Sequence, residues 1–127
     1  MPRGMTVRRF AWVPCAVALG IAAAIASCGG EDLGECPPDS EAQQAEGRSV
    51  VTVQCQRCHS SQLSGAQRQE APEDLNFDDL SVVREEAESM YGEAKEGEMP
   101  PEGALSTESI EAMRVWLACG AQDVALP

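Results

Sequence analysis

The pentad Cys55-Gln56-Arg57-Cys58-His59 decides how the rest of this chain is read. Two thiols with two residues between them, followed at once by an imidazole, suit three chemistries. They can form a redox dithiol, contribute to a zinc site, or add as thioethers to the vinyl groups of a haem whose iron the histidine ligates. A dithiol of the thioredoxin kind belongs at a strand-to-helix junction within a βαβ pattern, and no alternating apolar run here reads as a strand. A structural zinc site needs four Cys or His ligands, and His59 is the only histidine in the chain. Cys36 or Cys119 could be recruited, but their places near the two ends of the mature chain suit a staple better. A plain disulfide within the pentad is the blandest alternative. One covalently attached haem c uses all three residues, with His59 as an axial ligand through a ring nitrogen.

A single histidine excludes bis-histidine ligation within one chain, so the second axial ligand must be of another type. Met90 and Met113 fall on the apolar faces of expected helices and read as core. Met99 stands in the Pro-rich segment Met99-Pro100-Pro101, which can present a thioether rigidly to iron. Met99 is therefore the expected second metal ligand beside His59, and thioether ligation raises the reduction potential.

Working outward from the pentad, Ala42 to Gln54 reads as a helix that runs straight into it. Val50, Val51 and Val53 are expected to face inward, and Gly47, Val51 and Cys55 share one helical face. A glycine on that face permits close approach of another helix. Turn chemistry surrounds Ser64-Gly65 and Ala71-Pro72. Phe77 to Tyr91 reads as a second helix, with Leu80, Val83, Ala87 and Met90 at spacings of three and four and Gly92 as its cap. Glu93 to Gly103 reads as a loop. A last helix starts after Ser106, a good N-cap, carries Ile110, Met113, Trp116 and Leu117 on one face, and ends at Gly120. The expectation is an all-α domain of about three main helices.

The first 27 residues look like an export signal. Arg3, Arg8 and Arg9 precede the uncharged apolar run Phe10–Ala26, a basic n-region before an apolar h-region. Ile25-Ala26-Ser27-Cys28 resembles the lipobox of bacterial lipoproteins, in which the cysteine becomes the lipidated first residue of the mature chain. The expected division is thus a lipoprotein signal peptide over 1–27, a flexible acidic tether over 28–41 and the haem-bearing domain over 42–127. Such a protein would reside in the periplasm or cell envelope, lipid-anchored to a bacterial membrane through Cys28. With Cys15 lost in the signal, Cys28 lipidated and Cys55 and Cys58 in the pentad, Cys36 and Cys119 remain. An even remainder in an oxidising compartment points to a disulfide between them.

Loss of residues 1–27 removes three arginines and no acid, leaving 6 basic and 21 acidic residues, a net of −15. Nucleic acid is a poor partner for such a chain, because phosphate binding needs the opposite sign. Redox partner proteins with basic docking surfaces suit it better.

Taken together, these residues resemble the class I cytochrome c family over about residues 42–121. The resemblance rests on the pentad, on Gly92 through Met99-Pro100-Pro101, and on Leu105-Ser106 with the closing Met113–Ala121. It implies an N-terminal helix crossing the C-terminal one near Gly47, with Gly47 and Val51 against Met113 and Trp116. It implies His59 and Met99 as the axial pair, and a Pro carbonyl accepting the free N–H of the histidine, which maps onto Pro72. The departures are few aromatics, with Phe77, Tyr91 and Trp116 alone in the mature chain, and no basic docking patch. The haem pocket would be lined by aliphatic residues such as Leu63, Leu75, Leu80, Val83 and Leu105. The function implied is electron transfer without catalysis. The alternative is a haem-based ligand-binding sensor or accessory subunit with a labile Met ligand.

Overall fold

Ser40, nearly buried, ends the segment that leads into the first helix, its hydroxyl donating to the Pro37 carbonyl at 2.8 Å. The computed structural model describes residues 30–127, so the signal peptide and Cys28 lie outside the described residues. Helix α1 spans Glu41–Val50, with Glu41 in its first turn and Arg48 in its last, each at the favourable end of the helix dipole. A single π-helical turn, Val51–Cys55, follows without a break, and its wider ring is closed by the Gln56 N–H bonding the Val51 carbonyl at 3.1 Å. Of the three valines expected inside, Val51 is buried at 1 % exposure, Val50 is half-buried and Val53 is 56 % exposed. Residues two apart do not share a helix face, so Val51 and Val53 could not both reach the core.

The expected helix over Phe77–Tyr91 is two helices. Helix α2 spans Leu80–Glu85 and α3 spans Ala87–Glu96, with the chain bent at Glu86, whose φ and ψ are −94° and 5°. Asp79 caps α2, its carboxylate accepting from the Ser81 N–H at 2.8 Å. The spacing survives the bend: Val83, Ala87 and Met90 are all buried, and Ala94 extends the same stripe. That burial carries α3 through Gly92, which is interior rather than the cap, and beyond the expected loop start at Glu93. Its left-handed C-cap is Gly97, at φ 77°.

Helix α4, Thr107–Ala118, starts where Ser106 predicts, with the Ser106 hydroxyl accepting from the Ser109 N–H at 3.1 Å. It buries Ala112, Met113, Val115, Trp116 and Leu117. Its crossing with α1 centres on Gly47, where an added Cβ would lie 2.7 Å from the Ala112 carbonyl carbon and 2.8 Å from Trp116 Cβ. No side chain larger than hydrogen fits without moving a backbone. Val51, Phe77, Val83, Met90, Met113 and Trp116 form one core from the π turn, α2, α3, α4 and the segment before α2. Trp116 places its indole N–H on the Gln122 carbonyl at 2.8 Å, so the largest core side chain has no unsatisfied donor. Among the described residues all regular structure is helical.

The segment read as a flexible tether is fastened to the helices over its described part. Leu33 packs on the core, its carbonyl accepts from Arg114, and Glu31 pairs with Lys95 of α3 at 2.8 Å. Cys36 and Cys119 are bridged, with Cα atoms 4.7 Å apart and a sequence separation of 83. An acidic, Gly- and Pro-containing stretch reads as tether by composition; one leucine, one cysteine and one carboxylate tie it down.

Candidate functional site

The π turn delivers Cys55 to the start of a tight return. Cys58 and His59 both bond back to the Cys55 carbonyl through their N–H groups, at 3.2 and 2.9 Å, so the two thiols and the imidazole rise from one turn of backbone. Both thiols are unbonded and half-buried. Burial pushes the Cys55 thiol up to about 11. A redox dithiol needs the opposite, a thiolate stabilised near neutral pH. Among the described residues no three His, Cys, Asp or Glu side chains converge as a metal cage would require, Cys55, Cys58 and His59 included.

His59 is held on two sides. Its ring stacks on Phe77, with centroids 4.6 Å apart and planes at 21°, and the Phe77 N–H returns to the His59 carbonyl at 2.8 Å. Its Nδ1 lies 3.3 Å from the Leu75 carbonyl. Because a carbonyl can only accept, Nδ1 carries the proton and Nε2 keeps its lone pair free. Burial lowers the affinity of the ring for a second proton, outweighing the Leu75 bond, with a further small push from Arg68. A neutral imidazole with one oriented donor and one free lone pair is what an axial iron ligand requires.

The partner of that donor is Leu75 and not Pro72. The Pro72 carbonyl accepts instead from the Arg68 guanidinium. The cause lies in the loop. A short 3₁₀ turn, Gly65–Arg68, is closed by reciprocal bonds between Ser64 and Gln67. Gln69 and Glu70 then both take positive φ, 49° and 71°, which folds the chain back around the Arg68 side chain. Beside the loop, Asp78 clamps the two residues after His59, accepting from Ser60 Oγ at 3.0 Å, the Ser61 N–H at 2.9 Å and Ser61 Oγ at 2.6 Å. Slight desolvation of the exposed Asp78 works against ionisation, but the Ser61 and Ser60 donors prevail and hold its carboxyl below the usual range.

Met99 lies in the loop between α3 and α4, 43 % exposed, its N–H on the Glu93 carbonyl at 3.1 Å. Met90 and Met113 are buried in the core, as expected. The loop is joined to the pentad by an ion pair: Arg57, between the two thiols, meets Glu102, three residues beyond Met99, at 3.2 Å. Of the expected apolar lining, Leu63, Leu75, Leu80 and Leu105 are half-buried, whereas Val83 is fully enclosed in the core. Arg68, Asp78, the acceptor role of the Leu75 carbonyl and the stacking role of Phe77 were not singled out from sequence, where Leu75 was expected only as apolar lining. The donor set fits a covalent haem c. Cys55 and Cys58 would carry the thioethers, and His59 and Met99 would hold the iron.

No family model, no curated protein and no solved structure matches the chain, so the reading of the site rests on its own residues.

Proposed function

We propose that this chain is a membrane-tethered electron-transfer protein carrying one haem c on a cytochrome c-like domain, anchored in the bacterial cell envelope by lipid on Cys28. The observation that carries the reading is the pairing of two unbonded thiols with a histidine on the same turn, whose Nδ1–H is committed to a backbone carbonyl. When bound, the haem supplies a one-electron Fe(III)/Fe(II) couple. Attachment needs no oxidant: each S–H adds across one vinyl double bond, sulfur to one carbon and hydrogen to the other.

The chain's own residues do the rest. Cys55 and Cys58 fix the ring to backbone, and Leu75 sets the rotation of His59. Phe77 walls one face of the imidazole, and the Arg57–Glu102 pair draws the Met99 loop toward the pentad. With His59 and Met99 both holding the iron, no ligand position would be left for a substrate, which favours a carrier over an enzyme.

The surface supports a basic redox partner. Of the six cations left after loss of the signal, Arg48, Arg57, Lys95 and Arg114 pair with carboxylates, Arg84 bonds the Gly120 and Ala121 carbonyls, and Arg68 is buried. Most of the acids are left to set the external field.

The exposure of Met99 favours one second reading, a sensor or accessory subunit in which Met99 leaves the iron and a small ligand replaces it. A visible spectrum separates the two. The carrier shows the weak far-red Met–Fe(III) band and binds carbon monoxide slowly when reduced. Absence of the band with rapid carbon monoxide binding supports the sensor.

A further inference from the structure

Arg68 is buried, at 4 % exposure, while the other cations among the described residues are on the surface or at its margin. Its five N–H donors all find acceptors. Nε meets the Ala71 carbonyl at 3.2 Å; Nη1 meets the Ser60 carbonyl at 2.7 Å and Asn76 Oδ1 at 2.9 Å; Nη2 meets the Pro72 carbonyl and, at 3.3 Å, the Leu75 carbonyl. Every acceptor is a neutral amide oxygen. Glu70, Glu73 and Asp74 lie in the same loop, yet among the described residues no carboxylate forms a salt bridge with Arg68. Holding a loop together would be served as well by a paired charge, at lower desolvation cost. An unpaired one exerts its field on whatever lies beside it.

What lies beside it is the axial histidine. The Leu75 carbonyl has two lone pairs, and it accepts both Arg68 Nη2 and His59 Nδ1 at 3.3 Å. We propose that Arg68 is a positioning residue that shares the Leu75 carbonyl with His59 and, through this shared acceptor and its unpaired charge, raises the reduction potential of the iron. This inference rests on the haem reading above. Two effects act in one direction. Donation from Arg68 draws electron density from the Leu75 oxygen, which weakens its pull on the Nδ1 proton and makes the imidazole a poorer donor to Fe(III). The fixed positive charge also disfavours the oxidised iron, which carries one more positive charge than the reduced form.

The test uses the full chain matured with haem, as wild type, Arg68→Lys and Arg68→Met. Covalent haem is first counted by pyridine haemochrome, so that failure of the haem reading registers separately, as no haem in the wild type. In haem-loaded protein, Arg68→Met is expected to shift the Fe(III)/Fe(II) equilibrium about tenfold toward Fe(III), a fall of about 59 mV for one electron. Arg68→Lys, which keeps the charge but not the fork, falls between the two. The His59 Nδ1–H proton resonance is expected to move downfield in Arg68→Met as its bond to Leu75 strengthens. Unchanged potentials in both variants overturn the proposal. Should Arg68→Met not fold, the Lys variant and the wild type decide it. The wild type is expected to show slowly exchanging Arg68 Nη protons with a nuclear Overhauser contact to the His59 Nδ1 proton, and rapid exchange without that contact refutes it.

Discussion

Gly47→Ala sets two physical effects of opposite sign against each other. By helix propensity alone the change stabilises α1, by about 1 kcal/mol. The crossing with α4 argues the reverse. The new Cβ would stand 2.7 Å from the Ala112 carbonyl carbon and 2.8 Å from Trp116 Cβ, with the Ala112 carbonyl oxygen nearer still. Carbon contacts are most favourable at about 3.5–4.0 Å, so the two helices must part by roughly 0.7 Å or more. The obstacles are backbone and a Cβ, which cannot rotate away. A gap of that size forfeits about a quarter to a half of each dispersion contact it opens, and Val51, Met113 and Trp116 sit in the opened seam. Overpacking typically costs about 1–3 kcal/mol; with backbone involved on both sides, a net loss of about 2 kcal/mol remains after the propensity gain. For a domain of this size that lowers Tm by roughly 8–16 °C. Thermal and urea unfolding of the haem-loaded full chain, followed by circular dichroism, measures it. A variant as stable as wild type, or more stable, would show that α1 and α4 do not meet as described.

Three further outcomes follow from the same structure. Replacing Cys36 and Cys119 by serine opens a loop spanning 83 residues, a loss of up to about 4.5 kcal/mol in the chain-entropy model; equal urea midpoints for oxidised wild type and the double variant would speak against the bridge. Asp78 has its carboxyl lowered in the folded state, so its contribution is present above the ordinary Asp value and is lost as pH falls through the folded value. Asp78→Asn should therefore flatten the acid limb of stability against pH, and an unchanged limb would mean that the Ser60-Ser61 clamp does not form. Arg57→Ala removes a half-exposed ion pair and should change stability by less than about 1 kcal/mol. By freeing the Met99 loop it should still speed carbon monoxide binding to the reduced protein; an unchanged rate would separate the pair from any hold on Met99.

What could be read from sequence follows the reach of local rules. The buried faces of α2, α3 and α4 were legible because Val83, Ala87, Met90, Met113 and Trp116 recur at the helical period. Ser106 was legible because a cap acts on its own next turn. The bend at Glu86 was not, since neither Gly nor Pro marks it and the apolar stripe runs through it. Gly92 misled as a stop because a glycine costs a helix only about 1 kcal/mol, which the burial of Met90 and Ala94 outweighs. The thiols and His59 were legible as a spacing. The carbonyl that orients His59 was not, because every residue offers one, and the choice of Leu75 over Pro72 depends on the positive φ of Gln69 and Glu70. Arg68 was invisible for a similar reason: in sequence it is one basic residue in an acidic chain, and its burial is created by that same reversal of the loop.

The proposed covalent haem is tested most directly by a pyridine-haemochrome spectrum of protein expressed with a haem-attachment system, taken after acid-acetone extraction. The account predicts one haem per chain retained through extraction, with a c-type spectrum, and its loss when Cys55 and Cys58 are both replaced by serine. Haem that extracts into the solvent, or a protein that remains colourless with both thiols open to alkylation, would contradict it.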